Sequence, residues 1–142
     1  HFYNRFMPVE STIYATRRAQ LAAQLGPGGI AIIPTAPERP RNRDADVPYR
    51  HDSYFFYLTG FTEPHAWLVL RHDGHSVLFC QPKDLSREIW DGIRLGPEAA
   101  PTALGIEFAY SNQELDRKLG ELMADQDAIY IRLAENAEAD HF

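Results

Sequence analysis

A single cysteine, Cys80, is all the thiol chemistry this chain possesses. An internal disulfide is therefore excluded, and a reducing, cytoplasmic setting is expected. Cys80 closes the apolar run SVLFC, where a small buried hydrophobe is a better reading than a catalytic nucleophile. No apolar run approaches the ~20 residues that a membrane helix needs, and the opening HFYNRF has no signal-peptide core. Clustered positive charge is scarce as well. Fourteen basic residues stand against twenty acidic ones, for a net charge of -6, which argues against nucleic acid as the main partner. The one dense basic stretch, Arg39, Arg41 and Arg43, is followed at once by Asp44 and Asp46.

Self-contained catalytic motifs are also missing. The glycines of PGGI lack both the Gly-Lys-Ser/Thr ending of a phosphate loop and the spacing of a dinucleotide fingerprint. No serine sits in a G-x-S-x-G elbow. His72 and His75 form an H-x-x-H, but they flank a hairpin turn, where both rings are expected in solvent. His51 and Asp52 are adjacent and would point to opposite faces of a strand. Asp44 and Asp46 would share a face if extended, yet two carboxylates alone make a thin metal site. The residues themselves thus point to no catalytic constellation and to no metal or cofactor bound by this segment.

What is present is ordinary globular composition, 44% hydrophobic and 24% charged, in 142 residues. One domain with a sizeable core is expected. Met7 stands directly before PVESTIYATRR, so residues 1–8 are expected to be a tail, in part vector-derived, and residues 9–142 a single domain. Residues 9–25 read as an amphipathic helix, with Ile13, Ala19 or Arg17, Leu21, Ala22 and Leu25 near helical spacing and Gly26-Pro27-Gly28-Gly29 as the stop. IAII (30–33) reads as a buried strand. Pro34, Pro37, Pro40 and Pro48 make residues 34–50 a long loop, a length that usually carries function or lacks order.

WLVLR and SVLFC flank His72-Asp73-Gly74-His75, which predicts a hairpin with a type I′ turn and positive φ at Asp73 and Gly74. DLSREIWDGIRLG (84–96) is mixed and ends in Gly. PEAAPTALG (97–105) reads as a short helix with an early Pro and a terminal Gly, and EFAY (107–110) as a strand. Ser111 with Glu114 predicts a capping box opening a helix whose apolar face carries Leu115, Leu119, Leu122 and Met123. AIYIRL (128–133) is the last strand. Strands interleaved with helices, plus one antiparallel hairpin, give an α/β domain with a mixed β-sheet. Within HDSYFFYLTGFTEP, residues Tyr54, Phe55, Tyr57, Leu58 and Phe61 have the spacing of a wide helical face, which reads as core more readily than as binding surface.

Two stretches carry a family resemblance. RNRDADVPYRHDSYFFYLTGFTEPHAWLVL holds Asp44, the pair Tyr49-Arg50, Ser53, Phe56-Tyr57, the run Leu58 to Phe61, and Glu63-Pro64. KDLSREIWDGIRLGPEAAPTALG holds a central Glu-Ile-Trp and a following Arg-Leu-Gly. Together they resemble the amino-terminal domain of bacterial Xaa-Pro aminopeptidases (aminopeptidase P), in the creatinase and prolidase superfamily. The likeness spans about residues 9–133. It implies a ribonuclease-H-like α/β fold with helices packed on a mixed sheet. It also implies a parent metallopeptidase that removes the residue before a penultimate proline. The parent's two divalent metals, usually manganese, would sit in a pita-bread catalytic domain absent from this chain, so the segment alone is expected to be inactive. The implied partners are that catalytic domain, further copies in a homo-oligomer, and peptide substrates.

Asp44 and Trp90 match the positions that the family uses at the active-site mouth, although on its residues alone Trp90 reads more readily as a core tryptophan. Two alternatives remain at this point: the same domain in a prolidase- or creatinase-like hydrolase, or a metal-free homologue serving as a binding module. An unrelated α/β interaction domain would require both motif matches to be accidental.

Overall fold

The chain is described by a computed structural model over residues 9–35, 53–124 and 128–131. The expected Pro-rich loop, with Asp44, Asp46, Tyr49 and Arg50, and the pair His51-Asp52 lie outside the described residues.

The described residues form five α-helices and five strands, in the order α1 (Val9–Gln24), β1 (Gly29–Pro34), α2 (Ser53–Thr59), β2 (Trp67–Arg71), β3 (Ser76–Cys80), α3 (Leu85–Asp91), α4 (Ala100–Leu104), β4 (Phe108–Ser111), α5 (Leu115–Met123) and β5 (Ala128–Ile131). The strands form one sheet in the order β4-β3-β2-β1-β5. Its centre is an antiparallel meander, with Ile32 opposite Val69 and Leu68 opposite Leu78. Each edge strand is parallel to its neighbour: Ile30 lies opposite Ile129 and Leu78 opposite Ala109. The mixed sheet is the expected one. β3-β2-β1-β5 gives the ribonuclease-H-like arrangement that the resemblance implies, and β4 extends it outward.

Period-two alternation divides the sheet between two cores. Ala31, Ile33, Leu68, Leu70, Leu78 and Cys80 face α1, α2 and α4. Ile30, Val69, Val77 and Phe79 face the other way, onto Leu115, Leu119, Leu122 and Met123 of α5. β1, β2 and β3 are apolar on both sides because both sides are covered.

α2 delivers the aromatic run into the first core. Phe55, Leu58 and Phe61 are fully buried. One member of the expected face departs from it. Tyr57 is exposed and lies under the Arg17 guanidinium, 4.2 Å from the ring centre. Phe56 is half-buried, edge-on against Tyr14. A helix this short presents only a narrow stripe to the sheet, so i and i+3 are covered and i+2 is not. Thr59 ends α2 by accepting from the Phe61 N–H while its hydroxyl donates to the Phe55 carbonyl. Gly60 follows at φ 73, and a Cβ there would sit 2.5 Å from the Tyr14 ring, so two constraints select glycine.

α1 differs from the sequence expectation in which residue it buries. Ile13 is exposed, and Arg18 is buried beside Ala22. The reason lies at the end of α2. Arg18 donates to the Leu58 carbonyl (2.9 Å) and to the Gly105 carbonyl past the end of α4 (2.8 Å). Arg17 donates to the Tyr57 carbonyl (3.0 Å). Carbonyls at helix C-termini lack intrahelical partners and carry partial negative charge, so they suit a buried guanidinium. Burial pushes the Arg18 pKa down to about 10, still far above neutrality, and the side chain keeps its charge.

The hairpin is also built differently from the expected type I′ turn. Only Gly74 has positive φ. The Gly74 N–H donates to the Arg71 carbonyl and the Arg71 N–H to the His75 carbonyl, which makes a three-residue loop with a glycine bulge. Asp73 is held in place by Arg71 (2.8 Å) and by the His75 N–H. The histidines diverge rather than both facing solvent: the His72 ring meets the Ala22 carbonyl (3.2 Å) and the His75 ring meets Glu107 (2.9 Å).

At the far edge, Ser111 accepts from the Gln113 N–H as expected of a cap. Glu114 turns to Arg117 instead, and a single 3₁₀ turn (Asn112–Glu114) precedes α5.

In urea melts, Phe61→Ala is expected to cost roughly 3–5 kcal/mol, and the half-buried Phe56→Ala clearly less. Arg18→Ala strands two carbonyls at once and is expected to cost on the order of 3 kcal/mol, although it deletes no apolar core residue.

Candidate functional site

Among the described residues, the segment after β3 is where the most exposed large apolar side chains occur. Asp84 opens α3: its Oδ1 accepts from the Ser86 hydroxyl (2.7 Å) and from the Ser86 and Arg87 N–H groups. The Ser86 bond, with those backbone bonds and the charge of Arg94, holds the Asp84 carboxyl below the usual range. Gly92, at φ 95, ends the helix by donating to the Glu88 carbonyl (3.1 Å).

Between these caps the helix is inverted. Leu85, Ile89 and Trp90, with Ile93 just beyond, all face solvent, and Trp90 is 83% exposed. Glu88 alone among the described α3 side chains is not exposed. None of the described α3 side chains belongs to either core. Trp90 is therefore not the core tryptophan that its residue type alone suggests.

The segment is tied down at its ends. Lys83 Nζ donates to the Arg94 carbonyl (2.7 Å) and lies 2.9 Å from the Glu88 carboxylate. The Arg94 guanidinium returns to the Pro82 carbonyl (3.2 Å). The Leu95 N–H donates to Glu63 Oε2 (2.8 Å), and the Leu95 side chain enters the first core. Gly96 follows at φ 82, where a Cβ would lie 3.1 Å from the Lys83 Cβ. Glu63, from the Glu-Pro step of the aromatic run, thus holds the far end of α3.

Beside this root, at the carboxyl ends of parallel β3 and β4, lies a cleft of about 320 Å³ lined by Pro82, Lys83, Pro97, Glu98, Tyr110 and Ser111. A second cleft, of about 460 Å³, lies over Leu70 between α1 and the 105–107 turn. Cys80, at the end of β3, is fully buried, and burial with the charges of Glu63 and Glu98 pushes its thiol up to about 12. A thiol so placed packs and does not attack. Among the described residues no group of three or more His, Cys, Asp or Glu side chains could hold a metal, and no helix is long and apolar enough to cross a membrane.

Of the two site residues singled out by the sequence, the structure describes one. Trp90 stands on an exposed helix, and Asp44 lies outside the described residues. The sequence reading missed Glu88, Lys83 and Glu63. A stripe at 85, 89 and 93 looks the same whether it faces inward or outward, and Glu88, three residues after Leu85, flanks that stripe and so carries no sequence signal of its direction.

Comparison with known proteins gives a consistent picture. Residues 14–130 match the family model described as the aminopeptidase P, N-terminal domain. The Xaa-Pro aminopeptidase of Escherichia coli K12 is 44% identical over 131 residues, which cover 89% of this chain and 30% of that protein. Zinc-substituted E. coli aminopeptidase P in complex with product superposes with a TM-score of 0.80 at 42% identity, over 92% of this chain and 30% of that one. The proline aminopeptidase P II of Yersinia pestis superposes at 0.79 with 44% identity, over 92% and 31%. The chain thus spans less than a third of the length of these relatives.

A thiol raised to about 12 contributes stability that is complete below the unfolded pKa near 9 and lost as pH rises toward 12. Unfolding free energies measured from pH 8 to 11 should therefore fall more steeply for the unmodified chain than for Cys80→Ala. Equal slopes would mean that Cys80 is not held as the neutral thiol.

Proposed function

Since the chain belongs to the aminopeptidase P N-terminal domain family, we propose that it is the non-catalytic front domain, residues 9–142, of a cytoplasmic Xaa-Pro aminopeptidase. Such an enzyme is a hydrolase that releases the residue ahead of a penultimate proline. The length of the matched relatives leaves room for a catalytic domain after this segment. That domain would hold a pair of divalent metals, manganese by family resemblance, which polarise the scissile carbonyl and activate water. A zinc-substituted relative is in keeping with a metal enzyme. The described residues here do not fit such a centre, and the work of this domain lies in shape and assembly.

The observation that carries the reading is the inverted helix α3. Four large apolar side chains, Leu85, Ile89, Trp90 and Ile93, stand together in solvent. Contiguous exposed apolar surface of this kind is what an interaction site shows. The face supports oligomerisation or docking on the catalytic domain, and Trp90 serves as a flat apolar wall at the mouth of the active site. Asp44, in the Pro-rich stretch, would supply an anion to the same mouth, able to orient an arginine or the N-terminal amine of a peptide. Neither residue touches the metals, so both act on substrate binding.

The test uses the longer protein that carries this domain. Trp90→Ala is expected to lower kcat/KM for longer Xaa-Pro peptides while shifting the stability of the 142-residue chain by no more than about 1 kcal/mol. Asp44→Ala is expected to lower kcat/KM with metal content unchanged. If Trp90→Ala unfolds the domain and leaves the kinetics of the folded fraction untouched, the mouth assignment is wrong.

A further inference from the structure

A seven-residue helix does not hold itself in water, and α3 draws nothing from apolar packing because its apolar side chains face outward. Something else must set its position and its rotation about its own axis. One inward side chain is available. Glu88 is 11% exposed, and its carboxylate lies 2.9 Å from Lys83 Nζ. At two residues' separation, Glu88 and Trp90 project to nearly opposite sides of the helix. When Glu88 faces the body of the protein, Trp90 must face away from it.

The same ammonium donates to the Arg94 carbonyl (2.7 Å). Lys83 therefore joins the residue before the helix cap, the middle of the helix and the chain beyond its end. Arg94 closes the ring by donating to the Pro82 carbonyl. Gly96 leaves room for the Lys83 stem, since a Cβ there would crowd it at 3.1 Å.

We propose that Glu88 is a positioning residue, which through its ion pair with Lys83 locks the roll of α3 and thereby the direction in which Trp90 is presented. The kinetic consequence rests on the assignment of Trp90 to the active-site mouth; the structural consequence does not. With the pair intact, Trp90 is held in one orientation at no cost to the core. With the pair broken, α3 can roll about its axis, and Trp90 samples directions in which it no longer meets a substrate.

The experiment has two arms. In the 142-residue chain carrying Trp67→Phe, Trp90 is the sole tryptophan, and time-resolved fluorescence anisotropy reads its ordering directly. Glu88→Ala and Lys83→Met should each roughly halve the slowly decaying amplitude of Trp90. The double variant should do no more than either single one, as expected of two residues acting as a pair. Lys83→Arg, which keeps the charge, should recover most of the ordering. Thermal melting followed by circular dichroism should stay as cooperative in every variant as in the Trp67→Phe parent, because beyond that shared change, which trims a ring packed on the second core, neither core is altered.

In the longer protein, Glu88→Ala should raise KM for Xaa-Pro peptides roughly tenfold with kcat nearly unchanged. Unaltered anisotropy in both single variants overturns the proposal. So do additive losses in the double variant, which would mean that Glu88 and Lys83 act separately. If the anisotropy falls as expected while KM stays fixed and Trp90→Ala is also kinetically silent, the positioning role stands and the mouth assignment of Trp90 fails.

Discussion

Two adjacent arginines on α1 hold the first layer of this molecule together. Arg17 and Arg18 donate to successive carbonyls, Tyr57 and Leu58, at the end of α2, and Arg18 reaches the Gly105 carbonyl beyond α4 as well. Three helices on one face of the sheet are thus joined by two side chains. A buried cation is costly to desolvate, yet here it meets carbonyls that would otherwise lie unpaired in the same interior. The arrangement fixes where α2 stops. That in turn places Phe55, Leu58 and Phe61 over the sheet and directs the chain through Gly60 past Tyr14. The position of Glu63 follows from the same turn, and Glu63 anchors the far end of α3.

Among the described helices, α3 alone contributes no apolar side chain to either core. The two cores close around the sheet without it. Its caps, Asp84 and Gly92, are well formed, so the helix is specified locally and then held by charge and backbone bonds rather than by burial. Such a helix can be replaced or reshaped without disturbing the fold. This suits the interaction role proposed above for its exposed face.

Much of the fold was legible because both sides of the sheet are covered. Continuous runs such as IAII and SVLFC can only be buried strands in that case, and both are. The terminal Gly105 marked the end of α4 for a steric reason that no tertiary context overrides, and it takes the left-handed cap; the helix begins at Ala100 with Pro101 in its first turn, not at the early Pro97 of the expected span. Where the sequence misled, the cause was tertiary. Arg18 took the inward position that Ile13 was expected to share, because α2 and α4 bring carbonyls there. The hairpin adopts a bulged three-residue loop because Asp73 stays at negative φ with both Arg71 and the His75 N–H to satisfy it. At the candidate site, the family resemblance pointed to Trp90, and its exposure was decided by Glu88. A lone carboxylate inside a mixed segment gives no direction until its lysine is seen beside it.

The connectivity of the sheet grades its strands by the length of chain needed to pair them. β2 and β3 are joined by a tight turn, whereas β4 meets β3 only after α3 and α4, and β5 meets β1 only after most of the chain has passed. Loop-closure entropy rises with each such detour, and parallel edges gain slightly less per residue than antiparallel pairs. The β2–β3 hairpin is therefore the part that nucleates most readily and opens last, while the pairings across longer connections form later. A segment anchored just after β3, as α3 is, grows from the most durable ladder in the protein and can bear load from a partner without pulling on an edge.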